Sequence, residues 1–301
     1  MPNDATREPA KVCFADLRAR AANKNRTAKI KKLFEAAGFA DTVARGDLTA
    51  IKVHFGERGC DTHISPSHVR GVVELVKARG GLPFVTDTNT LYSGSRRNAV
   101  DHIATAVEHG FDYAVLGAPV LIADGLDSTN VIEVPIPGKH FEKVKIAGDI
   151  ARADSLIVLS HFKGHELAGF GGAVKNLGMG CAMRAGKQDQ HCVRFVVEPK
   201  KCIGCRECVR VCPAGAAAMD DKKAVIDKDL CVGCGECLTV CPKKAMRIDW
   251  HTEIVPFMER LVEYALGAVI GKPGKTAFFN FLTNVTPDCD CVPWSDAPIV
   301  P

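Results

Sequence analysis

From residue 11 to about 162, short apolar runs rich in β-branched residues alternate with stretches of helical period. "KVCFADL", starting at Lys11, reads as a strand, 25–38 as a helix closing on glycine, and "LTAIKVHF" from Leu48 as a second strand. Residues 66–80 read as a helix with proline in its first turn and Gly-Gly at its end, followed by the strand "LPFVTDT". "RRNAVDHIATAVEHG" has helical spacing, 144–153 reads as a further helix, and "SLIVLSHF" is apolar enough to be a strand covered on both faces. Such alternation predicts an α/β fold, a largely parallel sheet with flanking helices.

Residues 198–250 break the pattern, being cysteine-dense, with short elements, glycine turns and Pro199 at the entry. Afterwards "TEIVPFMERLVEYALGAVIG" reads as an amphipathic helix and "TAFFNFLTNV" as an apolar strand, so the α/β pattern resumes. The expected organisation is an α/β domain over 1–197, a small inserted α+β domain over 198–250, and a return to the α/β domain over 251–301. That last part ends abruptly at "SDAPIVP" and reads as shortened.

A chain of 301 residues, 47% of them hydrophobic, can bury a sizeable core. The net charge of +4 is spread along the chain without a basic run, so neither nucleic acid nor an anionic membrane is indicated as a partner. The polar start "MPNDATREPAK" has no signal-peptide pattern, and no apolar run reaches membrane-spanning length, so a cytoplasmic location is expected. Of the 14 cysteines, eight fall in two regularly spaced clusters, as metal ligands do in a reducing compartment; the others are Cys13, Cys60, Cys181, Cys192, Cys289 and Cys291.

The first cluster is Cys202-Ile-Gly-Cys205-Arg-Glu-Cys208-Val-Arg-Val-Cys212-Pro213, and the second is Cys231-Val-Gly-Cys234-Gly-Glu-Cys237-Leu-Thr-Val-Cys241-Pro242. Three cysteines spaced by two residues wrap three corners of a cubane, and the fourth, before proline, lies too far along to reach the same cube and serves the other. The expected ligand sets are Cys202, Cys205, Cys208 with Cys241, and Cys231, Cys234, Cys237 with Cys212, holding two [4Fe-4S] clusters. Gly204 and Gly233 would let each loop turn tightly and aim backbone N–H groups at sulfur. Zinc is the competing metal, but zinc ribbons use separated ligand pairs and have no use for the third cysteine or the Cys-Pro. The repeat resembles bacterial two-cluster ferredoxins, which implies one-electron transfer.

"SHFKGHELAGFGGAVKNLGMGC", 160–181, follows the buried strand with glycines that let backbone approach a ligand. Gly169, Gly171, Gly172 and Asn176 could line an anion or cofactor site with Lys175 as counter-charge. A turn needed only for packing is the plainer reading. His165 and the later His191 are candidates for proton transfer or metal ligation beside it. The glycine order fits neither a Walker A loop nor a GxGxxG fingerprint.

Together with "KVHFGERG", "FVTDTNTLYSG", "GAPVLIADGL" and "PDCDC", this run resembles the DUF362 family, in the subgroup that carries a two-cluster ferredoxin module. A more distant resemblance links "GHELAGFGGAVK" to the lactate racemase family, whose lysine carries a nickel-pincer nucleotide. By motif that resemblance makes Lys175 the attachment lysine, His165 the acid/base and His191 a nickel ligand. Its phosphate-binding motif is represented at best by "CDTHISP", with His63 where arginine would stand, which favours a shared pocket position over shared chemistry.

Smaller signals surround this segment. Asp87, Thr88 and Asn89 end a strand, and Tyr92, Arg96 and Arg97 follow, where open α/β sheets bind ligands; a capped helix start with a solvated arginine pair is the bland equivalent. His54 and His63 either rim the same pocket or lie exposed. His102 reads as an ordinary helix residue and Cys181 as a small buried apolar one. Cys289 and Cys291 could bind metal or oxidise, but two cysteines make half a metal site at most. The preferred expectation is an iron–sulfur oxidoreductase or redox maturation factor passing electrons to or from a small anionic ligand, with a redox partner protein. A racemase-like enzyme with a nickel or nucleotide cofactor and an electron carrier alone are the other two classes.

Overall fold

The computed structural model describes residues 10–92, 94–165, 168–191, 194–212, 214–228, 230–231, 236–249 and 254–299. Its centre is a sheet of β1 (Leu48–Lys52), β2 (Leu82–Asp87), β3 (Val120–Ile122), β6 (Ser155–His161) and β13 (Thr276–Phe281), in the order β13-β6-β1-β2-β3. Every pairing in it is parallel. All five strands therefore present their C-terminal ends at one edge.

The apolar runs follow from burial on both faces. In β6, Ile157 and Leu159 join a core under α1 (Arg26–Ala36) and α2 (Pro66–Ala78), together with Phe34, Val72 and Val76. Leu156 and Val158 point the other way, into a second core with Ile146, Ile150, Tyr264 and Ala268. Asn25 caps α1 by accepting from the Ala28 N–H at 2.8 Å, and Pro66 opens α2, as their sequences require. α3 (Ala99–Glu108) and α4 (Tyr113–Leu116) lead into the edge strand β3.

Two expected elements differ. Residues 144–153 are not one helix: β5 (Lys143–Ala147) pairs antiparallel with β4 (Val131–Pro135), and only α5 (Gly148–Arg152) is helical. The run Lys-Val-Lys-Ile alternates with period two, and Val144 and Ile146 are the buried members. "KVCFADL" forms no strand: Val12 and Phe14 lie exposed, and among the described residues no strand pairs with this run.

After β6 the chain makes a small hairpin, β7 (Lys163–His165) with β8 (Gly169–Gly171), then α6 (Ala173–Gly178) and α7 (Arg184–His191). The cysteine-dense stretch is flanked by β9 (Arg194–Val197) and β12 (Met246–Asp249), which pair antiparallel and so set its two ends side by side. Between them lie α8 (Glu207–Val211), the hairpin of β10 (Ala217–Asp220) with β11 (Lys223–Ile226), and α9 (Glu236–Val240). These elements have their own small core around Phe195, Cys208, Ala224, Cys237 and Met246. α10 (Ile254–Val269) then packs on α6 and β5 before β13 completes the sheet. Among the described residues no helix is long and apolar enough to cross a membrane.

Candidate functional site

The C-terminal edge of the parallel sheet carries an unusual density of buried charge. Lys52, the last residue of β1, is fully buried, and its ammonium lies 2.9 Å from Asp87 Oδ1 at the end of β2. It also donates to Asn176 Oδ1 at 2.7 Å. Asp87 Oδ2 meets Arg96 Nη1 at 3.4 Å, while Arg96 Nε reaches Glu57 Oε2 at 3.3 Å and its other nitrogens face His54 and Tyr92. Burial opposes ionisation of Asp87, but Lys52, then His102 and His54, outweigh it and hold the carboxyl well below the usual range. His54 is pushed down by burial first and then by the Arg96 charge, so its ring is neutral.

A second knot is tied by "PDCDC". Asp290, 1% exposed, accepts from His161 Nδ1 at 2.9 Å, Lys163 Nζ at 3.1 Å and Thr62 Oγ1 at 3.0 Å. Lys163 first, then His161, overcome its desolvation and keep it ionised. The other ring nitrogen of His161 faces the Thr283 carbonyl at 2.9 Å. The C-terminal strap can lie this close because residue 164 is glycine: a Cβ there would sit 1.9 Å from the Pro287 carbonyl oxygen. The neighbouring Cys289 receives the Lys175 ammonium at 2.9 Å from its sulfur.

Asp87 and Asp290 set an acid limit. A carboxyl whose folded pKa lies below its unfolded value of about 3.9 adds stability that is full above that value and is lost as pH falls through the folded one. Unfolding free energy is therefore expected to drop steeply below about pH 4, and chemical denaturation across pH 2–7 checks it. A stability flat through that window would contradict these ion pairs.

Three of the expected site residues lie within electrostatic reach of one another. Lys175 sits in α6, His165 ends β7 and His191 ends α7. Burial, then the Lys175 charge, lowers the imidazole of His165 to about 4, and the same two causes, followed by His165 itself, lower His191 to about 4. Both rings are neutral at pH 7. Gly169 and Gly171 belong to the β7–β8 hairpin, Gly171 lying against the stems of Lys163 and Lys175, and Gly172 caps α6 in extended conformation. Asn176 spends its whole amide on the protein, accepting from Lys52 and donating to the Leu159 carbonyl at 2.9 Å and Ser160 Oγ at 3.1 Å. It braces the ends of β1 and β6.

Of the smaller signals, Asp87, Arg96 and His54 lie in this cluster, whereas His63 stacks on His109 with ring centroids 4.6 Å apart. His102, expected to be ordinary, is fully buried with Nε2 3.7 Å from Asp87 Oδ2. Sequence reasoning missed Lys52, Lys163, Lys187 and Asp290. The signal for Lys52 was present, since a lysine inside a run as apolar as "LTAIKVHF" must be paired or functional when the strand is buried. Lys187 is buried and donates to Thr88 Oγ1 and the Ala182 carbonyl, both at 2.5 Å. Desolvation lowers its ammonium to about 8.

In the cysteine-dense stretch, Cys202, Cys205, Cys208 and Cys241 line one cavity, with Gly204, Ala224 and Met246. Cys202 Sγ accepts from the Ala224 N–H at 3.4 Å and Cys241 Sγ from the Ala245 N–H at 3.1 Å. The hydrogen bond from Ala224 leads in lowering the Cys202 thiol, and the Gly204 N–H adds to it. Gly204 has φ +72°, and a Cβ there would lie 2.6 Å from the Lys222 carbonyl oxygen. Thiolate ligands with backbone N–H donors suit a cluster of negative sulfides. Cys212, Cys231 and Cys237 pack into the same small core, whereas Cys234 and Gly233 lie outside the described residues. Among the described residues no three His, Cys, Asp or Glu side chains are gathered as for a single metal ion. A cubane spreads its ligand sulfurs wider than one ion does.

A family model described as "Domain of unknown function (DUF362)" matches residues 49–301. No curated protein matches the chain. Among solved structures, the lactate racemase apoprotein from Thermoanaerobacterium thermosaccharolyticum is similar at 13% identity and a TM-score of 0.37, covering 68% of this chain and 42% of that one. The chain thus spans less than half the length of that structure.

Proposed function

The chain belongs to the DUF362 family, and from that premise we propose that it is an iron–sulfur protein that moves electrons between two [4Fe-4S] clusters and the charged site at the sheet edge. The observation that carries this reading is the single cavity lined by Cys202, Cys205, Cys208 and Cys241. It joins three ligands of the first repeat to the last cysteine of the second, the exchange that two-cluster spacing requires. Cys231, Cys234, Cys237 and Cys212 form the other set. Bound there, the two clusters supply one-electron transfer.

The protein's own residues supply the rest. Lys175 places positive charge where the strap meets the hairpin, the charge a small anionic ligand would meet, while Lys163 is spent on Asp290. Neutral His165 and His191 offer uncharged ring nitrogens beside it that can hydrogen-bond a ligand without repelling Lys175. Lys187, poised at about 8, can give one up near neutral pH. The grouping of His165, Lys175 and His191 favours a second reading, a racemase-like enzyme in which Lys175 carries a nucleotide cofactor and His191 meets nickel.

Elemental analysis of anaerobically purified protein separates the two. About eight iron and eight sulfide per chain, without nickel, is the expected result. Nickel near one per chain would move the function to the second reading, and the absence of sulfide would reject the clusters.

A further inference from the structure

Cys289 and Cys291 take no part in the cluster sets, yet their surroundings are those of reactive thiols. The Val292 N–H donates to the Cys289 carbonyl at 3.1 Å, closing a tight turn that carries both cysteines. Each thiol is the largest single influence on the other's ionisation. Lys175 approaches Cys289 at 2.9 Å from the opposite side, and the intervening Asp290 is pinned by His161, Lys163 and Thr62, so the turn is held rigidly. Among the described residues no third His, Cys, Asp or Glu side chain joins them in a metal-holding group. Cys289 is 8% exposed and Cys291 half-buried, which leaves an approach from the Cys291 side.

We propose that Cys289 and Cys291 form a redox-active dithiol that exchanges with a small-molecule disulfide, the Lys175 ammonium serving as counter-charge to the Cys289 sulfur. This goes beyond the electron-transfer reading and needs neither cluster. Cys291 and then the Lys175 charge lower the Cys289 thiol, while Cys289 and burial raise Cys291, so the pair gives up its first proton from Cys289 and keeps the second on Cys291. The Cys289 thiolate attacks one sulfur of the substrate; the substrate S–S bond breaks, a mixed disulfide forms and one thiolate leaves. Cys291 then gives its proton to that thiolate and attacks the Cys289 sulfur. The Cys289–Cys291 bond forms, the mixed disulfide breaks, and the second half of the substrate departs as thiolate. The substrate gains two electrons, the pair loses two, and the single proton leaves with the first product.

The test uses the full chain, purified anaerobically, exposed to oxidised glutathione, quenched with an alkylating agent, digested and read by mass spectrometry. The expected result is a peptide spanning 289–291 that has lost two hydrogens and resists alkylation. Cys291→Ser should instead trap one glutathione on Cys289. Lys175→Met should slow alkylation of Cys289 at neutral pH, roughly tenfold for each unit by which the thiol pKa rises, with Lys175→Arg restoring it. The idea is overturned if both cysteines stay fully alkylated, or if Cys291→Ser takes up no glutathione, in protein whose circular dichroism matches wild type. Iron measured on the same samples keeps the outcomes apart: exchange without iron would sink only the cluster reading, and iron without exchange only this one.

Discussion

Replacing Asp87 by asparagine is expected to lower the unfolding free energy by about 3–5 kcal/mol, the cost of leaving a buried charge without its partner. The size follows from who is stranded. Lys52 is fully buried, and its only carboxylate contact among the described ion pairs is Asp87. Arg96, 1% exposed, keeps Glu57. An asparagine fits the space and can still accept a hydrogen bond, but it brings no charge. The double replacement Lys52→Met with Asp87→Asn should cost clearly less than the two singles added together, because the stranded ammonium is gone. Urea denaturation of the four proteins measures this; strictly additive losses would show that Lys52 and Asp87 do not rely on each other.

The second large effect concerns which cysteines act together. Cys202→Ala and Cys241→Ala are expected to remove the same cluster, each leaving about four of eight iron, although the two positions belong to different repeats. The cavity shared by Cys202, Cys205, Cys208 and Cys241 is the reason. Combining the two should remove no more iron than either alone, whereas Cys202→Ala with Cys212→Ala should lose both clusters. Iron and sulfide assays with the visible spectrum read this out. Loss of both clusters from Cys202→Ala with Cys241→Ala, beside retention of one in the other pair, would mean that each repeat holds its own.

Much of the scaffold was legible because burial writes itself into composition. β6 could be read from "SLIVLSHF" alone, since a strand covered on both faces cannot alternate with polar residues, and the capped starts of α1 and α2 followed from Asn25 and Pro66. Residues 144–153 misled because a five-residue strand and a five-residue helix laid end to end mimic one longer helical pattern. The site was legible only where its residues are neighbours in sequence. Lys175, His165 and the glycine run could be singled out together, but the contact of Lys175 with Cys289 spans 114 positions. The same holds for Asp290 with His161 across 129 and Lys52 with Asn176 across 124. Such meetings are made by sheet order, which brings β1, β6 and β13 side by side, and no local pattern encodes them.

The pairing of β9 with β12 bears on how this architecture could have arisen. Because Phe195 stands opposite Ile248 and Val197 opposite Met246, the chain leaves the α/β scaffold and re-enters it at almost the same place. Everything between is a long loop in the topology of the host, closed at its base like a drawstring, and lengthening such a loop costs little conformational entropy. A gene segment could be gained or lost there without re-registering a single strand of the central sheet. The enclosed elements can therefore vary while the charged cluster at the sheet edge stays as it is, the two joined at one seam.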